Sequence, residues 1–369
     1  MKIGFDAKRL FHNFTGLGNY SRSLLSNLSQ YANEDWELHL YSPKLSTHAR
    51  VQEFLQGPYH RHSGKGWLWR SRGISKDLQR DGIEIYHGLS HEIPIGVGEK
   101  GIKSIVSMHD LIFLHHPHLY PFIDRNIYDW KFKYAAKHAD KILAISESTK
   151  ADLIRFYQTL EEKIEVLYQA CDEQFYQLNS PEENRQILDK HQFPQDYLLY
   201  VGSIIERKNL LGLVKAIEML PVDLQIPLLI LGEGKTYKQK VQEYIAEKKL
   251  EKLFVFCEGV PFSDFPAIYQ EAKTMIYPSH FEGFGIPVIE ALWSKTPVIT
   301  SRTSSLPEAG GPDSFYIDPK SIEEISSAVE KVLTDETLAE DMREKGAAYV
   351  QRFHGKVLTE QLIKVYKSL

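Results

Sequence analysis

The sequence predicts an α/β protein of two similar domains, each built around a parallel β-sheet. Its 369 residues exceed one ordinary hydrophobic core and suit two domains. Short β-rich runs alternate with longer amphipathic stretches, a pattern typical of βαβ units. This alternation occurs twice, on either side of a polar stretch, so the chain reads as two halves of the same architecture.

The β-rich runs define the elements of each half. The first half contains KIGFD, ELHLYS, IEIYHG, KSIVSMHD, KILAIS and KIEVLYQ. The second contains YLLYVGS, IPLLILGEG, LFVFCEG, TMIYPSH, PVITS and SFYID, separated by helical stretches such as NLLGLVKAIEML. The join lies between about Asp172 and Gln195, where Pro181 and Pro194 act as breakers. We predict domains over residues 1–175 and 176–350, followed by a terminal stretch, 351–369.

Composition excludes several classes of protein. Hydrophobic residues at 43% and charged residues at 25% are ordinary for a globular chain, and a net charge of -5 gives no reason to expect nucleic acid. Cys171 and Cys257 form no CxxC pair, so neither a disulfide framework nor a zinc site is expected. The N-terminus lacks a signal-peptide core and no stretch has the apolar length of a membrane span. We expect a cytoplasmic protein.

Ligands of parallel sheets bind beyond the carboxyl ends of the strands, so polar residues there are candidates. In the first half, Gly16 and Gly18 follow the first strand and could let backbone amides approach a phosphate or a sugar. A plain strand-to-helix turn explains them equally well. His109, at the end of IVSMHD, could bond a sugar hydroxyl or stabilise charge, or it could be a structural histidine bonded to backbone.

In the second half, YVGSIIERKNLLGLVKAI carries Arg207 and Lys208 between a strand and a helix. Basic residues are disfavoured at a helix start, so an anionic ligand such as a diphosphate is a better reason for them than solvation. Farther on, HFEGFGIPVIEALWSKTPVIT places Glu282 and Glu290 on either side of a glycine turn that opens a helix. Such a turn attracts anions, so the two acids need a separate explanation.

These stretches together resemble the retaining family 4 glycosyltransferases over nearly the whole chain. The segment EGFG-x-P-x-x-EA matches the family's pair of spaced glutamates, and TGLGNYSRSLL, SMHDLIFLHHP, AISESTKADLIRFY and VGSIIERKNLLGLVKAI resemble its other motifs in the expected order. Two departures occur. Ser203 stands where many members carry a cation, which assigns the second charge to Arg207, and Trp293-Ser294-Lys295 stands where many members have Gly or Ala.

The resemblance implies the GT-B fold, with two Rossmann-like domains facing across a cleft. The second domain would hold the nucleotide and the first the acceptor, and residues 351–369 would return as helices to the first domain. Glu282 would bond hydroxyls of the donor sugar and Glu290 the ribose. The predicted catalytic residues are His109, Arg207, Lys208 and Glu282. The predicted donor-binding residues are Gly16, Gly18, Gly202, Gly234, Gly259, Val260, Phe284, Gly285, Ile286 and Glu290.

The implied activity is retaining transfer of a hexose from a nucleotide-diphosphate sugar to a glycan or lipid-linked acceptor in surface polysaccharide synthesis. Segments similar to bacterial mannosyltransferases favour GDP-mannose, with a UDP-sugar next. No cofactor is expected, and the absence of a D-x-D pair agrees with a site that needs no metal. A nucleotide-sugar 2-epimerase of the same fold and an inactive sugar-nucleotide-binding protein are the alternatives.

A basic stretch with interleaved tryptophans, HRHSGKGWLWRSRGISKDLQR, suits a lipid headgroup surface or a lipid-diphosphate acceptor. It carries Trp67, Trp69 and Arg70. A solvated loop and helix whose tryptophans lie in the core is an equal explanation. Peripheral contact with the inner face of the membrane therefore stays an open expectation.

Overall fold

The computed structural model describes residues 1–32, 35–66 and 68–369. It divides into two compact units, one made of Met1–Ala170 with Phe353–Leu369 and the other of Cys171–Arg352. The divisions lie close to the predicted boundaries at residues 175 and 350. Each unit is a parallel sheet flanked by helices, the Rossmann-like arrangement of the GT-B fold.

The first unit is built on a sheet that has seven strands within the described residues, in the order β3-β2-β1-β4-β5-β6-β7. The strands are β1 (Lys2–Asp6), β2 (Glu37–Ser42), β3 (Tyr59–Ser63), β4 (Ile85–Gly88), β5 (Lys103–Met108), β6 (Lys141–Ala144) and β7 (Ile164–Val166). The order reverses between β1 and β4, which makes this the topological switch point. Strand β3, YHRHS, is absent from the predicted set because it is an edge strand with mostly exposed polar side chains and no hydrophobic signal.

The second unit has six strands within the described residues, in the order β10-β9-β8-β11-β12-β13. They are β8 (Leu198–Val201), β9 (Leu228–Leu231), β10 (Phe254–Cys257), β11 (Thr274–Tyr277), β12 (Val298–Ser301) and β13 (Phe315–Ile317). Each lies within a predicted β-rich run. Strands β8, β9, β11 and β12 are buried throughout, because helices cover both faces of the sheet. The switch point of this sheet lies between β8 and β11.

Helices connect the strands in both units. Those of the first unit are α1 (Lys8–His12), α2 (Gly16–Tyr31), α3 (Gln52–Gln56), α4 (Ile74–Arg80), α5 (Ile112–His115), α6 (Phe122–His138), α7 (Glu147–Tyr157) and the terminal α16 (Gly355–Lys367). Those of the second are α8 (Pro181–Lys190), α9 (Leu210–Glu218), α10 (Thr236–Lys248), α11 (Phe265–Gln270), α12 (Ile286–Trp293), α13 (Leu306–Gly310), α14 (Ile322–Thr334) and α15 (Glu336–Tyr349). Among the described residues, no helix combines the length and apolar character needed to cross a bilayer.

The terminal helix α16 belongs to the first unit because it packs on α2. Gly355 lies directly against Asn27, where a Cβ would come within 2.6 Å of the Asn27 side chain. Near the other end of α16, the buried Tyr366 hydroxyl lies 2.7 Å from Nδ1 of His87. A glycine contact and a buried hydrogen bond therefore fix both ends of this helix.

The basic stretch before α4 does not form the tryptophan-lined surface considered from the sequence. Trp69 is buried, and its indole Nε1 donates a hydrogen bond of 2.7 Å to Asp77. The Arg70 side chain is also largely buried, in an ion pair with Asp6. Trp67 lies outside the described residues. The interpretation of Trp69 and Arg70 as lipid contacts is therefore wrong, since both are committed to packing within the unit.

Candidate functional site

The predicted residues of the second unit follow the carboxyl ends of four neighbouring strands. Gly202 follows β8, Gly234 follows β9, Gly259 follows β10 and Glu282 follows β11. Strands β8 and β11 flank the switch point, where loops on either side turn in opposite directions and leave a crevice. The sheet order therefore brings these segments to the position where sheets of this type bind ligands.

Glu282 is the centre of this crevice. The carboxylate is buried, and its Oε1 lies 2.8 Å from the Arg207 guanidinium and 3.6 Å from Lys208 Nζ. Oε1 also accepts hydrogen bonds from the Ser279 hydroxyl at 2.8 Å and from the Tyr277 hydroxyl at 3.1 Å. Two cations from the loop after β8 thus meet one acid from the loop after β11.

The ionisable groups of this cluster strongly affect one another's pKa values. Burial by itself would raise the pKa of Glu282, but Lys208 and Arg207 outweigh it and lower the pKa to about 2. Burial lowers the pKa of Lys208, and Glu282 opposes that effect. The acid is therefore ionised at every physiological pH, and the three groups carry a net charge of about +1 when both cations are protonated.

Gly202 is required beside Lys208. Its φ is +142°, and a Cβ built there would lie 2.8 Å from Lys208 Nζ. The ammonium donates a hydrogen bond to the Tyr277 hydroxyl and lies 4.8 Å from the centre of that ring. The glycine that was predicted to bind donor thus has a local reason, which is to leave room for a buried ammonium.

The turn between Glu282 and α12 is fixed by two serines that the sequence reasoning did not select. Ser305 donates its hydroxyl to the carbonyls of Glu282 and Phe284 at 2.9 and 3.0 Å. Ser304 accepts the Glu282 amide at 2.9 Å. Gly285, with φ +124°, is the N-cap of α12, and a Cβ there would lie 2.9 Å from Leu306. Both serines sit in TSSLP after β12, where the strand-end rule could have found them.

Glu290 lies one turn into α12 and is also buried, yet its environment is the opposite of that of Glu282. Its Oε2 accepts a hydrogen bond of 2.9 Å from the Tyr269 hydroxyl. Burial raises the pKa of Glu290 to about 7; Asp172 adds to the effect, whereas the Tyr269 hydrogen bond and Lys208 oppose it. The pKa values of these two acids, eight positions apart in the chain, therefore differ widely, because only Glu282 contacts the cations directly.

The remaining predicted donor-binding residues of this unit are Gly234, Gly259, Val260 and Ile286. A Cβ on Gly234 would lie 2.4 Å from the carbonyl of Ile204, so packing alone explains that glycine. Gly259 is exposed with φ +68°, and Val260 after it is half-buried. Ile286 is the first residue of α12, whose opening amides have no acceptor within the helix. Their contact with a ligand stays a prediction.

In the first unit, Gly18 has a structural reason to be glycine. A Cβ there would lie 1.6 Å from the carbonyl oxygen of Asn13, and its amide donates to Asn13 Oδ1 at 3.1 Å. Gly16 at the start of α2 is exposed, with nothing within 4 Å of a Cβ. Of this pair, Gly16 is the one whose surroundings leave space for a ligand.

His109 is buried, with both ring nitrogens bonded inside the unit. Nε2 lies 2.8 Å from the carbonyl of Leu89, which can only accept, so Nε2 carries the hydrogen. Nδ1 accepts from the side-chain amide of Gln169 at 3.1 Å, and burial lowers the pKa of His109 to about 4. The ring is neutral and engaged, so its predicted catalytic role stays a prediction that requires the Gln169 bond to open.

A second charge cluster, centred on the buried Asp6, lies at the switch point of the first sheet. Asp6 ends β1, Glu92 follows β4, and the Arg70 guanidinium bridges them, 2.9 Å from Glu92. Lys131 lies 3.0 Å from the other oxygen of Glu92. Arg70 was considered from the sequence only as a lipid contact, and Asp6, Glu92 and Lys131 were not selected, although Asp6 stands at a strand end and could have been found there. They are candidate ligand contacts of this unit.

Comparison with known proteins agrees with this architecture. Residues 14–175 match the family described as Glycosyltransferase Family 4, and residues 181–349 match Glycosyl transferases group 1. The chain is 29% identical over 395 residues to O-antigen chain mannosyltransferase B of Escherichia coli, covering 100% of both chains. It is 27% identical to the O-antigen chain mannosyltransferase RfbU of Salmonella typhimurium, over 62% of this chain and 60% of that one.

Solved structures show the same fold. Anabaena HepE in complex with UDP superposes with a TM-score of 0.80 at 16% identity, covering 100% of both chains. WaaG, a glycosyltransferase involved in lipopolysaccharide biosynthesis, superposes with a TM-score of 0.74 at 19% identity and covers 99% of each chain. These matches do not favour the alternative of a 2-epimerase. The chain belongs to the family 4 glycosyltransferases of the GT-B fold, and its sequence relatives include O-antigen mannosyltransferases.

Proposed function

We propose that this glycosyltransferase moves a mannosyl residue from GDP-mannose to a glycan or lipid-linked acceptor during surface polysaccharide synthesis, with retention of configuration and without a metal. The observation that carries the proposal is the buried cluster of Arg207, Lys208 and Glu282 at the switch point of the second unit. Mannose is the sugar named in the O-antigen relatives, which supports it over other hexoses. A UDP-sugar is the next candidate donor.

The two cations are suited to a diphosphate leaving group. Breaking the glycosyl-phosphate bond increases negative charge on the diphosphate, and groups placed to meet that charge lower the barrier. Lys208 is held by Tyr277 and given room by Gly202, so its ammonium is oriented before any ligand arrives. Arg207 supplies the second charge. A site with two fixed cations does not need a divalent ion to neutralise the leaving group.

Glu282 is suited to orient the transferred sugar and unsuited to attack it. Its shortest contacts with Arg207, Lys208, Ser279 and Tyr277 all involve Oε1, and Oε2 is the oxygen proposed to accept from the sugar hydroxyls. A carboxylate whose pKa is about 2 is a weak base and a poor nucleophile. This supports same-face attack by the acceptor hydroxyl, with its proton passing to the departing phosphate.

Glu290 is proposed to bind the ribose of the donor. A carboxylate accepts hydrogen bonds from two neighbouring hydroxyls, and the ionised form accepts them more strongly than the protonated form does. Because the pKa of Glu290 is about 7 in the free protein, donor binding should strengthen as the pH rises through that value. The hydroxyls of the ribose would then join the Tyr269 hydroxyl as partners of this carboxylate.

The acceptor is proposed to bind the first unit, which also presents an apolar surface, here defined as Leu68, Phe122, Ile123, Ile127 and Trp130. These side chains are exposed, and Phe122 and Ile123 retain 69% and 71% of their accessible area. Helix α6 follows the short helix α5 on the connection from β5 to β6, so its first turns lie toward the carboxyl edge of the sheet.

Exposed apolar side chains of this size normally mark a contact surface. Arg72 and Lys131 line the same pocket as the apolar surface, and these cations favour an anionic bilayer as that contact. We propose peripheral attachment here rather than through Trp69. Such attachment would bring the acceptor edge of the sheet toward lipid-linked substrates.

The reaction is tested by measuring nucleotide release from GDP-mannose and from UDP-hexoses, with and without a lipid-linked glycan acceptor. A transferase releases nucleotide only when the acceptor is present. Equal release without acceptor, or interconversion of the free donor sugar, would contradict the proposal. A thermal-shift series with the same donors identifies the nucleotide, because the ligand that binds the folded protein raises its melting temperature.

A further inference from the structure

A cluster of histidines lies on β2 and β3, at the edge of the first sheet. It is separate from the carboxyl ends of the strands, where the switch-point residues lie. Strands β2 and β3 pair in parallel with His39 opposite His60. The His39 ring stacks on that of His60 at 4.5 Å and on that of His62 at 5.2 Å. Glu37 precedes His39 by two residues on the same face of β2. The transfer mechanism uses none of these residues.

Three ligand atoms of this cluster converge. The His39 Nε2 lies 3.6 Å from Glu37 Oε2, and the His60 Nε2 lies 3.9 Å from the same oxygen. All three atoms are within 4.8 Å of one another. In the part of the chain that the structure describes, no other group of three or more His, Cys, Asp and Glu side chains converges in this way. Ligands of a tetrahedral zinc ion are about 3.4 Å apart, given bonds of about 2.0–2.2 Å.

The protonation state of His39 follows from its neighbours when the rings are neutral. His62 Nδ1 lies 3.3 Å from Asp81 Oδ2, and because a carboxylate can only accept, this contact favours the hydrogen on that nitrogen. His62 Nε2, 3.0 Å from His39 Nδ1, must then accept. The hydrogen of the His39 ring is thereby placed on Nδ1, which leaves a lone pair on Nε2.

That lone pair is in an unusual position. His39 is buried, and within the described residues its Nε2 has no hydrogen-bond partner. It points toward the Glu37 carboxylate, so an electron pair faces a negative oxygen. Lys2 lies 3.4 Å from that oxygen and neutralises part of its charge, but it does not satisfy the nitrogen. A buried acceptor beside another acceptor is stabilised by a cation between them.

We propose that Glu37, His39 and His60 form a site for a zinc ion or a similar borderline transition metal. One carboxylate and two imidazoles suit such metals, and solvent would supply the fourth ligand. His62 and Asp81 would hold the His39 ring in the ligating tautomer, as carboxylate–histidine pairs do behind zinc ligands. Glu37 and His60 have side chains 49% and 55% exposed, so both can adjust to the ion while His39 stays fixed.

The metal would tie the edge strand β3 to β2 and stabilise the first unit. It lies apart from the switch-point residues and has no part in glycosyl transfer, so the proposal is independent of the proposed function. The two also fail separately: chelation is expected to lower the stability of the first unit while the transfer activity at moderate temperature persists.

Cobalt(II) is the probe, because four-coordinate Co²⁺ absorbs visible light strongly and occupies zinc sites. Full-length protein stripped with a chelator is titrated with Co²⁺, and Zn²⁺ is then added to displace it. We expect one equivalent per chain and at least a tenfold loss of affinity in Glu37→Gln and in His60→Gln. Asp81→Asn should lower affinity less than the ligand variants do, because Asp81 acts on His39 through His62. His138→Gln, which changes an exposed histidine on α6, is the matched control.

Both variants at ligand positions change exposed side chains, so loss of folding is not expected to obscure the result. Metal binding that is unchanged in Glu37→Gln and His60→Gln would overturn the proposal, as would the absence of a cobalt spectrum in the wild type. The cluster could instead hold a proton. In that case acid would stabilise the metal-free wild type, Glu37→Gln would lose this gain in stability, and no Co²⁺ would bind. This combination would refute the metal site.

Discussion

Replacing each glutamate of the switch-point site by glutamine should change stability in opposite directions. The ordinary pKa of a glutamate is 4.5, and in the folded protein it is about 7 for Glu290 and about 2 for Glu282. At about 1.4 kcal/mol per pH unit, ionisation of Glu290 costs about 3 kcal/mol on folding, and ionisation of Glu282 gains about 3 kcal/mol. Glu290→Gln should therefore stabilise the second unit, and Glu282→Gln should destabilise it.

The sign follows from proton linkage. Between pH 4.5 and about 7 the folded protein holds a proton on Glu290 that the unfolded chain has lost, so stability falls as the pH rises through this window. Glu282 contributes stability that is present above pH 4.5 and is lost as the pH falls toward 2. The gain in Glu290→Gln should thus be full at about pH 8 and gone at about pH 4, whereas the deficit in Glu282→Gln persists at both values.

Calorimetry at the two pH values, without nucleotide, measures both effects. A change of about 3 kcal/mol corresponds to a shift of about 6–12 °C in the transition of a unit of this size, as an upper estimate. The glutamine at position 290 can still accept from Tyr269, so packing is retained. Glu247→Gln, an exposed change on α10, is the control and should move little. Shifts of the same sign in the two variants, or a Glu290→Gln gain that is independent of pH, would refute the reasoning.

Four further outcomes are expected. Transfer activity should survive EDTA, because Lys208 and its neighbour supply the charge; loss of activity that magnesium restores would contradict this. Lys208→Ala should lower kcat by about 10²-fold or more, since its interaction strengthens as the diphosphate departs, and a change in KM alone would contradict the assignment. Glu290→Ala should weaken the normal donor by about 1.5–3 kcal/mol and cost far less with a 2′,3′-dideoxyribose analogue; equal penalties would reject ribose binding. Sedimentation with anionic vesicles should be reduced in the double variant Phe122→Ser, Ile123→Ser but not in Val222→Ser, which removes an apolar side chain 85% exposed in the second unit; equal binding of all three to neutral and anionic vesicles would exclude the apolar surface.

The local sequence was sufficient to predict the elements of this protein that follow a hydrophobic pattern. The alternation of apolar runs predicted twelve of the strands, and the signal is strongest in central strands such as β8 and β11, which are covered on both faces and therefore apolar throughout. The edge strand β3 carries no such signal, since its side chains face water. The sequence placed Glu282, the basic pair and the glycine turn on loops after strands, and Glu290 on the helix that follows the turn, as the structure has them. It could do so because a parallel sheet gathers the carboxyl ends of its strands at one edge, whereas the binding roles of these residues stay predictions.

Tertiary structure alone decided what the side chains of those loops do. Glu282 and Glu290 are the same residue type on one short segment, and the arrival of Arg207 and Lys208 from the loop after β8 is the main cause of the difference between their pKa values. Trp69 looked like a lipid contact in sequence, but its indole has a buried partner in Asp77. Electrostatic interactions fall with distance in space, not along the chain, so no local pattern encodes them.

The histidines of the sheet edge show the same division. The sequence contains His60 and His62 with the alternation of one strand face, and it contains Glu37 and His39 with the same spacing about twenty residues earlier. Nothing in either segment says that the two face one another. Their convergence depends on the register of β2 against β3, which sets His39 opposite His60. The sequence by itself determined which residues share a face of each strand, and the pairing of the strands determined which of them meet, because strand register is fixed by the packing of the whole sheet.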